Sequence, residues 1–401
     1  MISRTLIRCA TCSKPITARI QVGHELEQPV SFPCPHCGTL VQLTLILDEP
    51  PRVKIHWGDN AESGGEEGAI INIGAGFTIP QDKLHKDRYF PSFDAPKPYL
   101  EDDEEPQALP GPIILDAQVG LGTLPYAEST WRNLQRALRF HRTRQQQNLK
   151  TQLDEFWGTP RSSEQTLENA LFNFFLRFLA PNGKAWLAPL GKSLQTASST
   201  NRGEYLRFVA HYDTDLKHDR FEAYSEIISE YFRGYGEFSQ TLVYARREIP
   251  LPVDAVATSS DFERTRMFYG NAFEVLGAHL DFPAAINNLI RGRPFDQMSA
   301  MDLKLFRTLN KANRTNCFSD NTELSWIVTE YDSTIRNASH HRWFKLDDSR
   351  RQLSYRSGGT GAVHRMSYAE YLLRCNRLAI HLMMLACVEL VFLSTSGKDL
   401  S

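Results

Sequence analysis

The chain has 401 residues, 41% of them hydrophobic and 23% charged, with a formal net charge of -2. That composition suits folded domains, excludes a disordered or collagen-like chain, and is far from the basic balance of a dedicated nucleic-acid coat. The charge is uneven: Asp48 to Pro106 holds 14 acidic and 6 basic residues, so the remainder carries +6, compatible with a polyanionic partner.

Met1 to Ile20 contains Arg4, Arg8 and two cysteines where a secretory leader has an apolar run, so no signal peptide is expected. Of seven cysteines, four form close pairs, Cys9 with Cys12 and Cys34 with Cys37, while Cys317, Cys375 and Cys387 are scattered. This usage predicts a reduced, cytoplasmic protein with one metal site, not a disulfide framework. Two residues between thiolates let a tight knuckle turn both sulfurs onto one ion, and two knuckles complete a tetrahedron. Gly38 stands where such a knuckle often needs positive φ, and Leu40 to Leu47 is strand-like. The pattern resembles a zinc ribbon over residues 1–47. The resemblance implies a structural zinc on Cys9, Cys12, Cys34 and Cys37, with His36 outside the ligand set and no position open to a substrate. It also implies that the ion supplies folding energy to a module too small for its own core, which docks on nucleic acid or on a protein.

Residues 48–114 are rich in Gly, Pro and acid, as in Glu101 to Pro106, and are expected to be a linker in which Ala69 to Gly74 forms a short strand. Residues 115–215 read as a helical middle region. Trp131 to Lys150 carries Arg132, Arg136, Arg139, Arg142, Arg144 and Lys150 with no acid, which suits either an RNA-facing helix or a solvated one. Ser162 with Gln165 forms a capping box, and Leu167, Ala170, Leu171, Phe174 and Phe178 follow helical spacing. Further apolar helices are expected at Arg220 to Arg233, Phe262 to Leu280, Ala284 to Ile290 and Ser367 to Leu393. The apolar stretch Leu378 to Leu393 is interrupted by His381 and Glu389 and falls short of the roughly 20 residues of a membrane span, so no membrane partner is expected. No dinucleotide, Walker, HExxH or GxSxG motif occurs.

Four Arg–His pairs have four to six residues between them: Arg19 with His24, Arg136 with His141, Arg336 with His341, and Arg374 with His381. Only Arg336 is followed by a polar amide, Asn337, in the run Ile335 to His341. Leu324, Ile327, Val328, Tyr331, Ile335 and Ala338 share helical spacing, which predicts one helix with Arg336, Asn337, His340 and His341 opposite its apolar stripe. His340 sits nearer Arg336 on an ideal helix than His341 does. Downstream, Trp343 to Leu346 and Gln352 to Arg356 predict a basic hairpin carrying Arg342, Arg350, Arg351 and Arg356; Lys311 and Arg314 are further cationic candidates.

The Arg-Asn-x3-His element resembles the signature of HEPN domains, the helical "higher eukaryotes and prokaryotes nucleotide-binding" family. The resemblance spans Arg220 to Leu393. It implies a mainly α fold, a HEPN-like helical bundle over 216–401 with a small β-hairpin insert, preceded by the small β zinc ribbon. It implies a dimer in which two polar faces meet, and metal-independent cleavage of RNA by its own 2′-hydroxyl. His341, or His340, would act as general base or acid, Arg336 would hold the phosphate, and Asn337 would orient them. Such a protein would be a toxin or anti-phage effector, held off or triggered by a protein partner. The alternative is a non-catalytic adaptor that binds nucleic acid or protein through the ribbon and a helical dimer interface.

Overall fold

A computed structural model describes residues 1–48, 52–90, 94, 124, 126–158, 165–347 and 349–400. Eight strands come first: β1 (Ile2–Cys9), β2 (Pro15–Gln21), β3 (Glu27–Pro33), β4 (Leu40–Leu47), β5 (Val53–Trp57), β6 (Ala61–Ser63), β7 (Ala69–Ile73) and β8 (Ile79–Pro80). Helices follow: α1 (Ala127–Arg142), α2 (Gln146–Trp157), α3 (Leu167–Phe178), α4 (Gly183–Thr200), α5 (Arg202–His211), α6 (Lys217–Arg233) and α7 (Tyr235–Arg247). After β9 (Ala255–Val256) come α8 (Phe268–His279), α9 (Asp281–Ile290) and α10 (Ser333–His340). Strands β10 (Lys345–Leu346), β11 (Gln352–Tyr355) and β12 (His364–Ser367) precede the last helix, α11 (Tyr368–Thr395). A β region followed by a mainly helical region therefore holds, with more strand than expected. The chain divides into two compact units, one of 1–130, 231–267 and 337–376 and one of 131–230, 268–336 and 377–401. Both are discontinuous, so the sequential division into ribbon, linker, middle region and C-terminal domain does not describe them.

In the first unit, β1 and β2 pair antiparallel within a sheet of order β6-β1-β2-β7, and β3, β4 and β5 form a second sheet. Burial along β4 alternates, with Val41, Leu43 and Leu45 inward, because successive side chains of a strand point to opposite faces. The strand expected at Ala69 to Gly74 is present as β7, and residues read as linker add β5 and β6. Ile55 pairs with Leu45, Glu62 with Arg8, and Ile71 with Ala18. The glycines mark close backbone approach, not slack: a Cβ on Gly68 would lie 1.9 Å from the Pro15 carbonyl oxygen. The acidic run Glu101 to Pro106 lies outside the described residues. Ile7, Ile16, Ile20, Phe32, Val41 and Leu43 belong to one hydrophobic core that residues beyond the expected ribbon, Ala61, Ile71, Ile73 and Leu84, help to build.

Helix α7 is buried almost throughout, so its polar groups need internal partners. Gln240 Oε1 accepts from the amides of Thr258 at 2.7 Å and Ser259 at 3.1 Å, and Glu237 accepts from the Tyr368 hydroxyl at 2.8 Å. Asn376 Nδ2 donates to the Phe238 carbonyl at 2.7 Å while its Oδ1 accepts from Tyr231 at 2.6 Å. The expected basic hairpin is present as the antiparallel pair β10 and β11, and β12 extends it to a three-stranded sheet of order β10-β11-β12.

The second unit is helical. The Trp131 to Lys150 helix is two, α1 and α2, broken where Arg144 takes a positive φ of 56°. Phe262 to Leu280 likewise divides into a turn at Phe262–Thr265 and α8. Thr166, not Ser162, caps α3, accepting from the Asn169 amide at 3.2 Å; Ser162 lies outside the described residues. Helices α4 and α5 fall in the region expected to be helical without having been placed individually. Between α5 and α6 the helix continues as a π turn, Tyr212–Leu216. The Tyr212 hydroxyl donates to Glu389, which is fully buried on α11 and also accepts from Tyr224 at 2.7 Å. Arg220 holds both Glu389 oxygens and donates to Asp281 at 2.6 Å, and Arg307 Nε donates to the other Asp281 oxygen at 2.9 Å. Helix α11, expected over Ser367 to Leu393, is 28 residues and long and apolar enough to cross a membrane, but 83% of its most apolar window is buried inside the protein.

Buried groups in the two units should respond to pH with opposite signs. Burial, with Arg220 nearby, pushes His279 down to about 4, and burial pushes His381 down to about 3. Both are stabilising when neutral, so that stability is present above pH 6.5 and lost as pH falls through 6.5 toward these values. At about 1.4 kcal/mol per pH unit, His279 alone removes roughly 3 kcal/mol by pH 4. In the first unit, burial lifts Glu237 to about 7, so its contribution is full below pH 4.5 and is lost as pH rises through 7. Denaturant melts across this range should show His279→Gln flattening the acid loss of the second unit. An acid limb identical to wild type would reject this assignment.

Candidate functional site

Strand β1 ends at Cys9, where the Cys9 amide donates to Lys14 O at 3.1 Å and Ser13 turns with φ 58°. The second knuckle repeats this: the Cys34 amide donates to Thr39 O at 2.8 Å, and Gly38 takes φ 75° as expected. The four sulfurs converge. Cys9 and Cys37 Sγ lie 3.8 Å apart, Cys12 and Cys34 Sγ also 3.8 Å, and all four fall within 4.8 Å of one another. A tetrahedron with metal–sulfur bonds of about 2.3 Å has edges of about 3.8 Å, so the donor set fits one ion. The Thr39 hydroxyl and amide beside Cys37 hold its thiol down to about 6, while burial pushes Cys34 up to about 12. His36 Nε2 instead faces the Pro15 carbonyl at 3.2 Å. The four sulfurs are therefore placed so that together they could hold one metal ion.

The stretch before the Arg-Asn-x3-His element is not the single helix its apolar spacing predicts. It comprises a turn at Thr322–Ser325, a 3-10 turn at Trp326–Val328, and the separate α10. The break has a local cause: Asp332 Oδ1 accepts from the Thr334 amide at 2.7 Å and the Ile335 amide at 3.3 Å, capping a new helix start. Leu324, Ile327, Ile335 and Ala338 are still buried. At the other end the Trp343 amide reaches Ala338 O at 2.9 Å and Arg342 takes φ 56°, a left-handed cap that stops the helix after His340.

Arg336 belongs to the second unit and the residues from Asn337 onward to the first. In the second unit, Arg336 Nε donates to Glu274 Oε1 at 2.5 Å and Lys311 pairs with the other oxygen. Burial raises Glu274, but hydrogen bonds from Lys311 and Arg336 outweigh it and hold the carboxyl below its usual range. Sequence reasoning missed Glu274; its signal was being the one acid in the apolar text of α8. In the first unit, Asn337 Nδ2 donates to Ser357 Oγ at 2.9 Å, His340 is half-buried, and His341 and Arg342 are exposed. The Arg356 guanidinium stacks 4.2 Å over the Trp343 ring.

The remaining cations do not form one flank. Arg314 is buried, its guanidinium donating to the carbonyls of Gly277 at 2.9 Å, Leu309 at 3.2 Å and Arg307, so it ties a loop together and is not available to RNA. Arg350 and Arg351 stand at the start of β11 and Arg356 at its end, roughly 16 Å away at about 3.3 Å per residue. On α1, Arg132, Arg136, Arg139 and Arg142 are exposed, and Arg142 pairs with Glu222. No family model, no curated protein and no solved structure matches the chain.

Proposed function

We propose that the chain is a metal-independent endoribonuclease of HEPN type, a cytoplasmic toxin or anti-phage effector acting as a homodimer, with a structural zinc on the four cysteines. One observation carries the reading: the Arg-Asn-x3-His element occupies a short helix capped at both ends, with His341 exposed just beyond it. His341 takes the proton of a ribose 2′-hydroxyl, whose oxygen attacks the adjacent phosphorus. The 5′-oxygen leaves with a proton taken from solvent water, giving a cyclic phosphate and a 5′-hydroxyl end, and the protonated His341 then returns its proton to solvent. Arg336 stabilises the charge that develops on the phosphate, and Asn337 orients the pair. The ribbon serves a protein or nucleic-acid partner that activates or restrains the enzyme.

Purified protein in chelator should cleave RNA and spare matched DNA, which lacks the 2′-hydroxyl. Arg336→Ala and His341→Ala should each lower the rate by about 10² to 10⁴. A loss confined to His340→Ala would move the proton-carrying role to that residue. Intact RNA under every activating condition, or normal cleavage by both main variants, would falsify the proposal. The second reading, a non-catalytic adaptor, is favoured by Glu274, which occupies the Arg336 guanidinium. Nucleic-acid binding that survives all three substitutions without cleavage would establish it.

A further inference from the structure

A cavity of about 310 Å³ lies within the first unit, between the second thiolate knuckle, the 256–260 segment and the turn Ser349 to Arg351. Its walls are of two kinds. Pro35, Ile71, Leu84 and Val256 supply apolar surface, while Arg350 and Arg351 supply permanent cations, and among the described residues no carboxylate lines it.

Arg350 is anchored. Its Nε donates to the Ser260 carbonyl at 3.3 Å and to Ser260 Oγ at 3.2 Å, and Ser260 is only 2% exposed. That grip sets the guanidinium plane and leaves its two terminal nitrogens with no hydrogen bond to a described residue. Arg351 NH1 is tethered by Gln81 Oε1 at 2.8 Å. His85 Nδ1 donates to the Ile70 carbonyl at 2.7 Å, so the neutral ring keeps Nε2 as an acceptor. A guanidinium of set orientation is the group that takes a phosphate through two parallel hydrogen bonds. The volume exceeds that of a phosphate alone, and an apolar wall opposite a few convergent polar groups is the usual make-up of a small-molecule site.

We infer that this cavity binds a nucleoside phosphate, with the phosphate on Arg350 and Arg351, the base against the apolar wall, and His85 Nε2 accepting from a base or ribose donor. The site uses none of Arg336, Asn337 or His341 and requires no RNA cleavage. The nucleotide is either free or the 5′-phosphorylated end of an RNA.

Calorimetric titration of the full chain with AMP, GMP, adenosine, inorganic phosphate, and oligoribonucleotides with and without a 5′-phosphate tests this. A monophosphate should bind saturably and at least about 10-fold more tightly than adenosine or phosphate alone. Arg350→Ala should weaken it by about 10- to 100-fold, the range of a charge-assisted pair. Ser349→Glu, on an exposed residue at the cavity edge whose hydroxyl donates to Asp347 at 2.6 Å, should do the same by placing a carboxylate beside both arginines, in protein whose melting curve shows it folded. Binding of the 5′-phosphorylated oligomer without the free nucleotide would identify an RNA end as the source. Absence of saturable binding by any phosphate probe, equal affinity for adenosine or phosphate alone, or unaltered binding by a folded Ser349→Glu protein would overturn it.

Discussion

Glu389→Ala should destabilise the second unit by about 3–5 kcal/mol, the cost of leaving a buried charge without its partner. Arg220 and Glu389 side chains are 6% and 0% exposed, so neither can recover hydration when the other is removed. The network closes in charge: Arg220 and Arg307 against Glu389 and Asp281. Removing Glu389 leaves one cation in excess and strips the acceptor from the Tyr212 and Tyr224 hydroxyls. Removing Arg220 and Glu389 together leaves the Arg307–Asp281 pair intact, so Arg220→Met with Glu389→Leu should recover much of the loss despite being the larger change. Urea unfolding of the single and double variants measures this. A Glu389→Ala loss below about 1 kcal/mol would mean that the carboxylate is solvated, not buried among these partners.

Protein purified without chelator should carry about one zinc per chain, and Cys9→Ser or Cys34→Ser should abolish it, because a tetrahedral thiolate site tolerates no missing ligand. Structural zinc binding is worth about 10–16 kcal/mol in isolated finger peptides, where the apo form is unfolded. Here the consequence should be more local. The sheets have their own core, which includes Ile16, Ala18, Phe32 and Leu43 and the later strand residues Ala61, Ile71 and Ile73. Chelation should therefore accelerate amide exchange across residues 9–14 and 34–39 while the middles of β2 and β4 stay protected. Metal content well below one per chain would remove the centre. Global melting on chelation would show that the core does not stand without the ion.

Features written in local text were readable. The thiolate pairs needed only the spacing of Cys9, Cys12, Cys34 and Cys37, because a knuckle is a turn of a few residues. Alternation in Leu40 to Leu47 and the long apolar run before Leu393 exposed β4 and α11, since period and length are properties of one segment. Local text also misled. Glycine at 64 and 68 reads equally as slack linker or as close contact, and only pairing partners decide between them. The apolar period of residues 324–338 continued across Asp332, where one side-chain cap broke the helix.

By itself, then, the sequence determined the metal-binding donor set, the strand and helix periods, and the position of the Arg-Asn-x3-His element. Tertiary structure alone decided the partners: Glu274 for Arg336 and Lys311, Glu389 for Arg220 across 169 positions, and Ser260 for Arg350. The physical reason is that a charge in a sequence has no address. Whether it is solvated, neutralised or left facing a cavity depends on which distant segment the fold brings within hydrogen-bond reach, and a local period carries no information about that.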